Sequence, residues 1–224
     1  MTAPSYTQAA FFDLDKTLLT VNSSFRFGVH LYRNRIIPFS SMAFLTGIYF
    51  LHSINRKNTQ SIRDIHFQCF DRLFSGKNAS ELYDLADEFV EEVFHAVSKK
   101  TIANILQRCL DEKCFVAILS SSPEFIVRSF AKKFGVHEYF GTSYEVNQKG
   151  DFYKVGTIFD GTSKSNYVNR TMAKYSIPFE KTSAYSDSHL DLPFLEAAGI
   201  PVAVDPTRIL KKESLQRNWQ IINT

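Results

Sequence analysis

Ala9-Ala10-Phe11-Phe12-Asp13-Leu14-Asp15-Lys16-Thr17-Leu18-Leu19 decides how this chain is read. Four apolar residues run straight into an acidic pair. A compact run that is apolar throughout fits a strand buried on both faces, as in a parallel sheet. Asp13 and Asp15, at i and i+2, leave the end of that strand on the same side. This is the carboxyl end, where open α/β sheets bind ligands. Two carboxylates so close repel unless a cation lies between them, and Mg²⁺ suits such oxygen donors. A carboxylate in that position can also attack phosphorus and give an aspartyl-phosphate.

Working outward, three more apolar runs end in polar loops. Phe115–Leu119 precedes Ser120-Ser121-Ser122-Pro123, Thr182–Tyr185 precedes Ser186-Asp187, and Ile200–Val204 stops at Asp205-Pro206. Pro123 suits the first position of a helix capped by Ser122, running to about Phe134 with Gly135 as its stop. A further helix is expected from Leu190 to Ala198. The alternation predicts an α/β fold: a Rossmann-like parallel sheet core with helices on both faces. Residues 22–99 break the rhythm and read as helical throughout. Thr59–Phe74 is one amphipathic helix. Asn78 precedes Glu81 by three, and Leu82, Leu85, Phe89, Val93 and Val97 follow at helical spacing. The expected organisation is a core of 1–21 and 100–224, with an all-helical cap of 22–99 inserted after the first acidic pair.

Composition excludes several classes. The 224 residues carry a net charge of +3, too weak a surplus to point to nucleic acid. Cys69, Cys109 and Cys114 form no metal-ligand spacing and read as buried free thiols in a reducing compartment. Met1–Ala10 has neither a basic n-region nor an apolar h-region, so a cytoplasmic location is expected. From Lys16 to Arg63 there are seven Lys/Arg and no acid; from Asp64 to Ser98 there are eight acids against two bases. The two halves are expected to pack together and neutralise one another; the other reading turns the basic half toward an anionic ligand. Ile36–Asn55 is twenty residues without a charge, flanked by Arg33, Arg35, Arg56 and Lys57. Pro38, Ser40, Ser41, Thr46, His52 and Ser53 interrupt it. A span there would also separate Asp13 from every later motif. It is read as a cap helix, or one in weak contact with a membrane surface, not as a transmembrane span. Ten of the 21 Phe fall within residues 22–98, which suggests a cap that is apolar inside.

With these segments in hand, the chain resembles the haloacid dehalogenase-like hydrolase superfamily, in its phosphoserine-phosphatase-like branch, subfamily IB. The four motifs of that family appear in order as Asp13-Leu-Asp15-Lys-Thr17, Val116-Ala-Ile-Leu-Ser120, a helix-opening Lys in Gly161-Thr-Ser-Lys164, and Ser186-Asp187-Ser188-His-Leu-Asp191. Lys154 is the competitor for the third motif. The resemblance implies a phosphatase in which Asp13 is the nucleophile and Asp15 the general acid and base. Ser120 and Lys164 would bind and neutralise the phosphoryl group. It implies Mg²⁺ held by Asp13, Asp187 and the Asp15 backbone carbonyl, with Asp191 and Ser188 in support. Thr17, Asn22, Ser121, Ser122 and Arg26 are the candidate substrate-binding residues.

The chain departs from phosphoserine phosphatases proper. Asn22 stands near their substrate-binding acid, Ser121-Ser122 replace Gly-Gly, and Ser186 replaces Gly. The expected function is therefore hydrolysis of a small phosphorylated metabolite whose identity is open, a lipid-derived phosphate included. The alternative is a membrane- or partner-binding protein on the same scaffold.

Overall fold

The computed structural model describes residues 6–54 and 59–224. Asn55, Arg56 and Lys57, the end and flank of the uncharged stretch, lie outside the described residues. In chain order the elements are β1 (Ala9–Phe12), α1 (Ser23–Arg33), α2 (Phe39–Ile54), α3 (Thr59–Leu73), α4 (Ala79–Val97), α5 (Lys100–Asp111), β2 (Phe115–Pro123), α6 (Glu124–Phe134) and β3 (Glu138–Thr142). They continue through β4 (Tyr144–Val146), β5 (Phe152–Val155), α7 (Gly161–Tyr175), β6 (Thr182–Ser186), α8 (Leu192–Glu196), β7 (Ile200–Val204), α9 (Arg208–Gln216) and β8 (Gln220–Ile222).

Six strands form one sheet in the order β3-β2-β1-β6-β7-β8, every pair parallel. The chain fills one side of β1, then crosses to fill the other, so the order reverses between β1 and β6. Such a reversal opens a crevice at the carboxyl ends of the strands. Successive side chains of β1 go to opposite layers. Ala10 and Phe12 join the core built with α4, α5 and α6, and Ala9 and Phe11 join the core built with α7, α8 and α9. Burial on both faces explains why these strands read as unbroken apolar runs.

The helices α1–α4 lie between β1 and β2 in sequence. Asn78 caps α4 by accepting from Glu81 N at 3.2 Å, as the spacing predicted. Gly28 lets α1 and α2 approach closely; a Cβ there would lie 2.0 Å from Leu45 Cδ2. The hairpin β4–β5 is tied to the α3–α4 turn by Gly76 N to Phe152 O (2.8 Å) and Phe152 N to Lys77 O (2.9 Å). Among the described residues no helix is long and apolar enough to cross a membrane.

Four expectations need correction. Among the described residues, the acidic half of the insertion pairs mainly with α6 and not with the basic half. Asp87 on α4 accepts from Arg128 (3.3 Å), Lys132 (2.9 Å) and Ser129 (2.5 Å), and Glu91 pairs with Lys133, all on α6. The reason is packing: Leu82, Phe89 and Val90 share a core with Phe125 and Phe130, which brings α6 alongside α4. Within the insertion, His30 lies 3.3 Å from Glu92. Ser122 does not cap α6, because β2 runs on to Pro123 and the Ser122 side chain is used elsewhere. The helix expected over Leu190–Ala198 is only α8, preceded by a tight turn at His189–Asp191. Of the three free thiols only Cys114 is buried; Cys69 and Cys109 are half-buried.

Candidate active site

The register aligns Phe12 with both Ile118 and Tyr185. Asp13 directly follows β1, Asp187 directly follows β6, and Ser120 lies late in β2 two residues past Ile118, so the three come together at the carboxyl end of the sheet. Asp13 N donates to Tyr185 O at 2.9 Å, continuing the ladder one step beyond β1. The chain then turns tightly through Leu14–Leu18, with Lys16 in the left-handed region at φ 60°. Lys99, which opens the turn into α5, holds this loop. Its buried Nζ donates to Lys16 O at 2.6 Å and to Asp205 Oδ2 at 2.5 Å.

Asp13 is buried, and each of its carboxylate oxygens has a donor. Lys164 Nζ is 2.7 Å from Oδ1 and Thr17 Oγ1 is 3.1 Å from Oδ2. Lys164 also donates to Asp191 Oδ2 at 2.8 Å, and Ser186 Oγ donates to the same oxygen at 2.7 Å. Lys164 reaches this point because α7 starts hard against the Ser188–Asp191 loop. Asp160 caps the helix, and a Cβ on Gly161 would lie 2.4 Å from Leu190 O. Lys154 is instead on the exposed hairpin, 3.3 Å from Glu145.

Asp15 is clamped by donors from two elements. Ser23 N gives 2.8 Å to Oδ1, while Asn22 Nδ2 (3.1 Å) and Ser122 Oγ (2.7 Å) reach Oδ2. Ser24 Oγ lies 2.8 Å from Ser122 Oγ, and Ser122 N donates to Ser120 Oγ at 3.1 Å. The start of α1 is thus sewn to the end of β2 through Asp15.

Burial pushes the Asp13 carboxyl up to about 8; Lys164 opposes the shift, and Asp191 and Asp187 add to it. Burial also raises Asp15, against the pull of its Ser23 and Ser122 hydrogen bonds. On Lys164, burial disfavours the charge, but Asp13 and Asp191 outweigh it and hold the ammonium above its ordinary range. Burial and the neighbouring carboxylates thus work against ionisation of Asp13. A cation between Asp13 and Asp187 would bring it back, so the donor set fits one. No three His, Cys, Asp or Glu side chains among the described residues gather as a metal-holding group. Two carboxylates with a backbone carbonyl, leaving room for water and phosphate oxygens, is the kind of site Mg²⁺ accepts.

These residues floor a cavity of about 210 Å³ that is also lined by Asn22, Ser121, Ser122 and Ser188. Thr17 sits behind it, on Asp13. Arg26 does not line it. Ser186, Lys99 and Ser24 were not singled out from sequence, nor was His66, whose Nδ1 lies 3.4 Å from Tyr144 Oη at the cavity wall. Ser186 was legible only as a departure from Gly; Lys99 and His66 gave no local signal.

The sequence profile described as haloacid dehalogenase-like hydrolase matches residues 10–196. A Mycobacterium tuberculosis protein named phosphoserine phosphatase SerB1 is 26% identical over 218 residues, 96% of this chain and 70% of that protein. A histidinol-phosphatase of Neisseria meningitidis serogroup C is 27% identical over 229 residues, 96% of this chain and 97% of that one. A crystal structure of a protein of unknown function from Bordetella pertussis Tohama I superposes with a TM-score of 0.80 at 23% identity, covering 97% of this chain and 99% of its own. With the profile spanning most of the sheet and all four motifs, this chain belongs to the haloacid dehalogenase-like hydrolase family, as an enzyme of its phosphatase kind.

Proposed function

We propose that the protein is a Mg²⁺-dependent phosphomonoesterase acting on a small phosphorylated molecule through an aspartyl-phosphate. On this reading the core is 1–21 with 100–224, and 22–99 is a cap over it. The observation that carries it is Asp13, buried between Lys164 and Thr17 at a strand end beside Asp187. The names of the relatives, phosphoserine and histidinol phosphatases, support a phosphorylated metabolite as substrate.

Asp13 attacks phosphorus, a P–O bond forms at its carboxylate, and the ester P–O bond breaks. Asp15, raised by burial, gives its proton to the departing alkoxide. In the second step Asp15 takes a proton from water as that water attacks phosphorus. The acyl-phosphate bond then breaks and Asp13 is restored. Ser120 donates to a phosphoryl oxygen. Lys164 holds Asp13 in line and balances charge on the transferred group; Asp191 and Ser186 keep Lys164 in place. Held by Asp13, Asp187 and the Asp15 carbonyl, Mg²⁺ would supply positive charge against the phosphoryl oxygens.

Hydrolysis of p-nitrophenyl phosphate with and without Mg²⁺ tests this reading. Asp13→Asn is expected to abolish turnover, and full activity in that variant refutes the assignment. A second reading, contact with a membrane surface through 36–55, is favoured by Phe39 and Phe50 on α2, which are 71% and 63% exposed. Failure to sediment with anionic vesicles at low salt removes it.

A further inference from the structure

The cavity has two chemically distinct halves. Its floor carries the carboxylates, Lys16 and Lys164. The wall given by the insertion carries Phe25, Leu45, Ile48, Tyr49, Leu73 and Phe74. Among the described residues the insertion gives this wall no Asp, Glu, Lys or Arg. Of its polar members, Asn22 is engaged with Asp15 and Phe25 N and Ser24 with Ser122, while the Tyr49 ring stacks on Phe25. His66 sits beside the Tyr144 hydroxyl, 3.4 Å away, with burial holding its ring neutral.

We infer that the substrate is the monophosphate of an apolar alcohol, an alkyl, prenyl or aryl chain seated on this wall, and not an amino-acid or sugar phosphate. The inference rests on the phosphatase reading of the floor. Among the described residues, an ammonium or carboxylate on the leaving group would find no opposite charge on this wall, Lys16 lying with the floor, and such burial is unfavourable. Sugar hydroxyls would lose water and find rings and methyl groups. An apolar chain gains with each methylene it removes from water. The leaving oxygen also stays next to Asp15, whose clamp at the start of α1 lies where the two halves of the cavity join. The same chemistry is met in soluble alcohol phosphates and in lipid phosphates anchored in a bilayer.

The test measures kcat/KM for ethyl, butyl, hexyl and phenyl phosphates against phosphoserine, histidinol phosphate and glucose 6-phosphate, all with Mg²⁺. A rise of roughly threefold to fourfold per added methylene is expected until the wall is covered. Phosphoserine is expected to lie at least tenfold below hexyl phosphate. Ile48→Asp, checked for an unchanged fold by circular dichroism, should flatten the chain-length series. A second arm presents dodecyl phosphate in neutral-lipid vesicles: faster turnover there than for hexyl phosphate in solution assigns the lipid source, and slower turnover the soluble one. If phosphoserine, histidinol phosphate or the sugar phosphate is preferred, or the series is flat in the unmodified enzyme, the inference is overturned while the phosphatase reading stands. If no monophosphate is hydrolysed, the phosphatase reading itself fails, and the inference with it.

Discussion

Replacing Lys164 by Met removes one charge and keeps most of the apolar stem, which packs over the Phe194 ring at 5.4 Å. What is lost is the ammonium bonded to Asp13 at 2.7 Å and to Asp191 at 2.8 Å, with all three groups buried. Removing one partner of a buried ion pair costs about 3–5 kcal/mol, because the other charge is left without compensation. For a chain of this size each kcal/mol moves Tm by roughly 2–4 °C, so a fall on the order of 6–20 °C is expected in EDTA at about pH 9.5, where Asp13 is ionised. The pH dependence separates charge loss from packing loss. Asp13 is already raised by burial in the folded state, and without Lys164 it rises further. A carboxyl raised above its unfolded value costs no stability at low pH and withdraws it as pH climbs from the unfolded toward the folded value. The Asp13 share of the gap between Lys164→Met and the parent should therefore be small at about pH 6 and open as pH climbs past the parent's raised value, to be wide at about pH 9.5. Thermal melts at both values supply the measurement. A gap of equal size at both, or none at the higher pH, would refute the electrostatic account. Lys154→Met is the control: that lysine is exposed beside Glu145, and a change within about 0.5 kcal/mol is expected.

Ser122→Ala takes one donor from Asp15 and leaves Asn22 and Ser23. Losing a bond to the ionised form raises the Asp15 pKa, so the alkaline limb of the kcat profile should move to higher pH; a pH–rate profile checks this. Gly161→Ala places a Cβ where only 2.4 Å separates it from Leu190 O, and should cost about 1–3 kcal/mol in urea melts while lowering kcat by misplacing Lys164. Lys99→Met breaks the bond to Asp205 and should cost about 1–3 kcal/mol near neutral pH. Asp205 is held below its ordinary range, with burial opposed by Lys99 and Thr224. Its stabilising share is present above the unfolded pKa and fades as acid protonates it, so the Lys99→Met penalty should shrink below about pH 4 in denaturant titrations.

β1, β7 and the first part of β2 were legible because burial on both faces makes each an apolar run; β6, Thr182-Ser-Ala-Tyr-Ser186, was legible from its place before Asp187. Asp13 and Asp15 were legible because paired acids at a strand end are a local pattern; Asp187 and Lys164 came from the family resemblance, which left Lys154 as a competitor. The edge strands were not. β3 is Glu138–Thr142 with a polar start, and β8 has only three residues, too short to show a period. Ser122 misled for a related reason: Ser before Pro fits a helix cap locally, but Asp15, 107 positions away, claims its hydroxyl. The partner of the acidic helix α4 was misjudged because charge runs in sequence say nothing of which apolar faces meet; Phe89 and Phe130 decided that. Arg26 was drawn in by its sign alone and lies off the cavity wall. His66 faces the site from α3, at a distance from Tyr144 that no local spacing encodes.

The central position of β1 has a consequence for how the chain matures. Lys164 is synthesised 151 positions after Asp13. At ribosomal rates of about 5–20 residues per second, roughly 8–30 seconds separate the two. Through that interval the growing polypeptide holds an unpaired acidic loop and a sheet without its β6 side. Parallel pairing across such separations is slow compared with helix formation. The helices of the insertion can form locally while β1 waits for its neighbours. On the proposed mechanism, hydrolytic activity is expected only once the β6 side of the sheet is in place and Lys164 has reached Asp13.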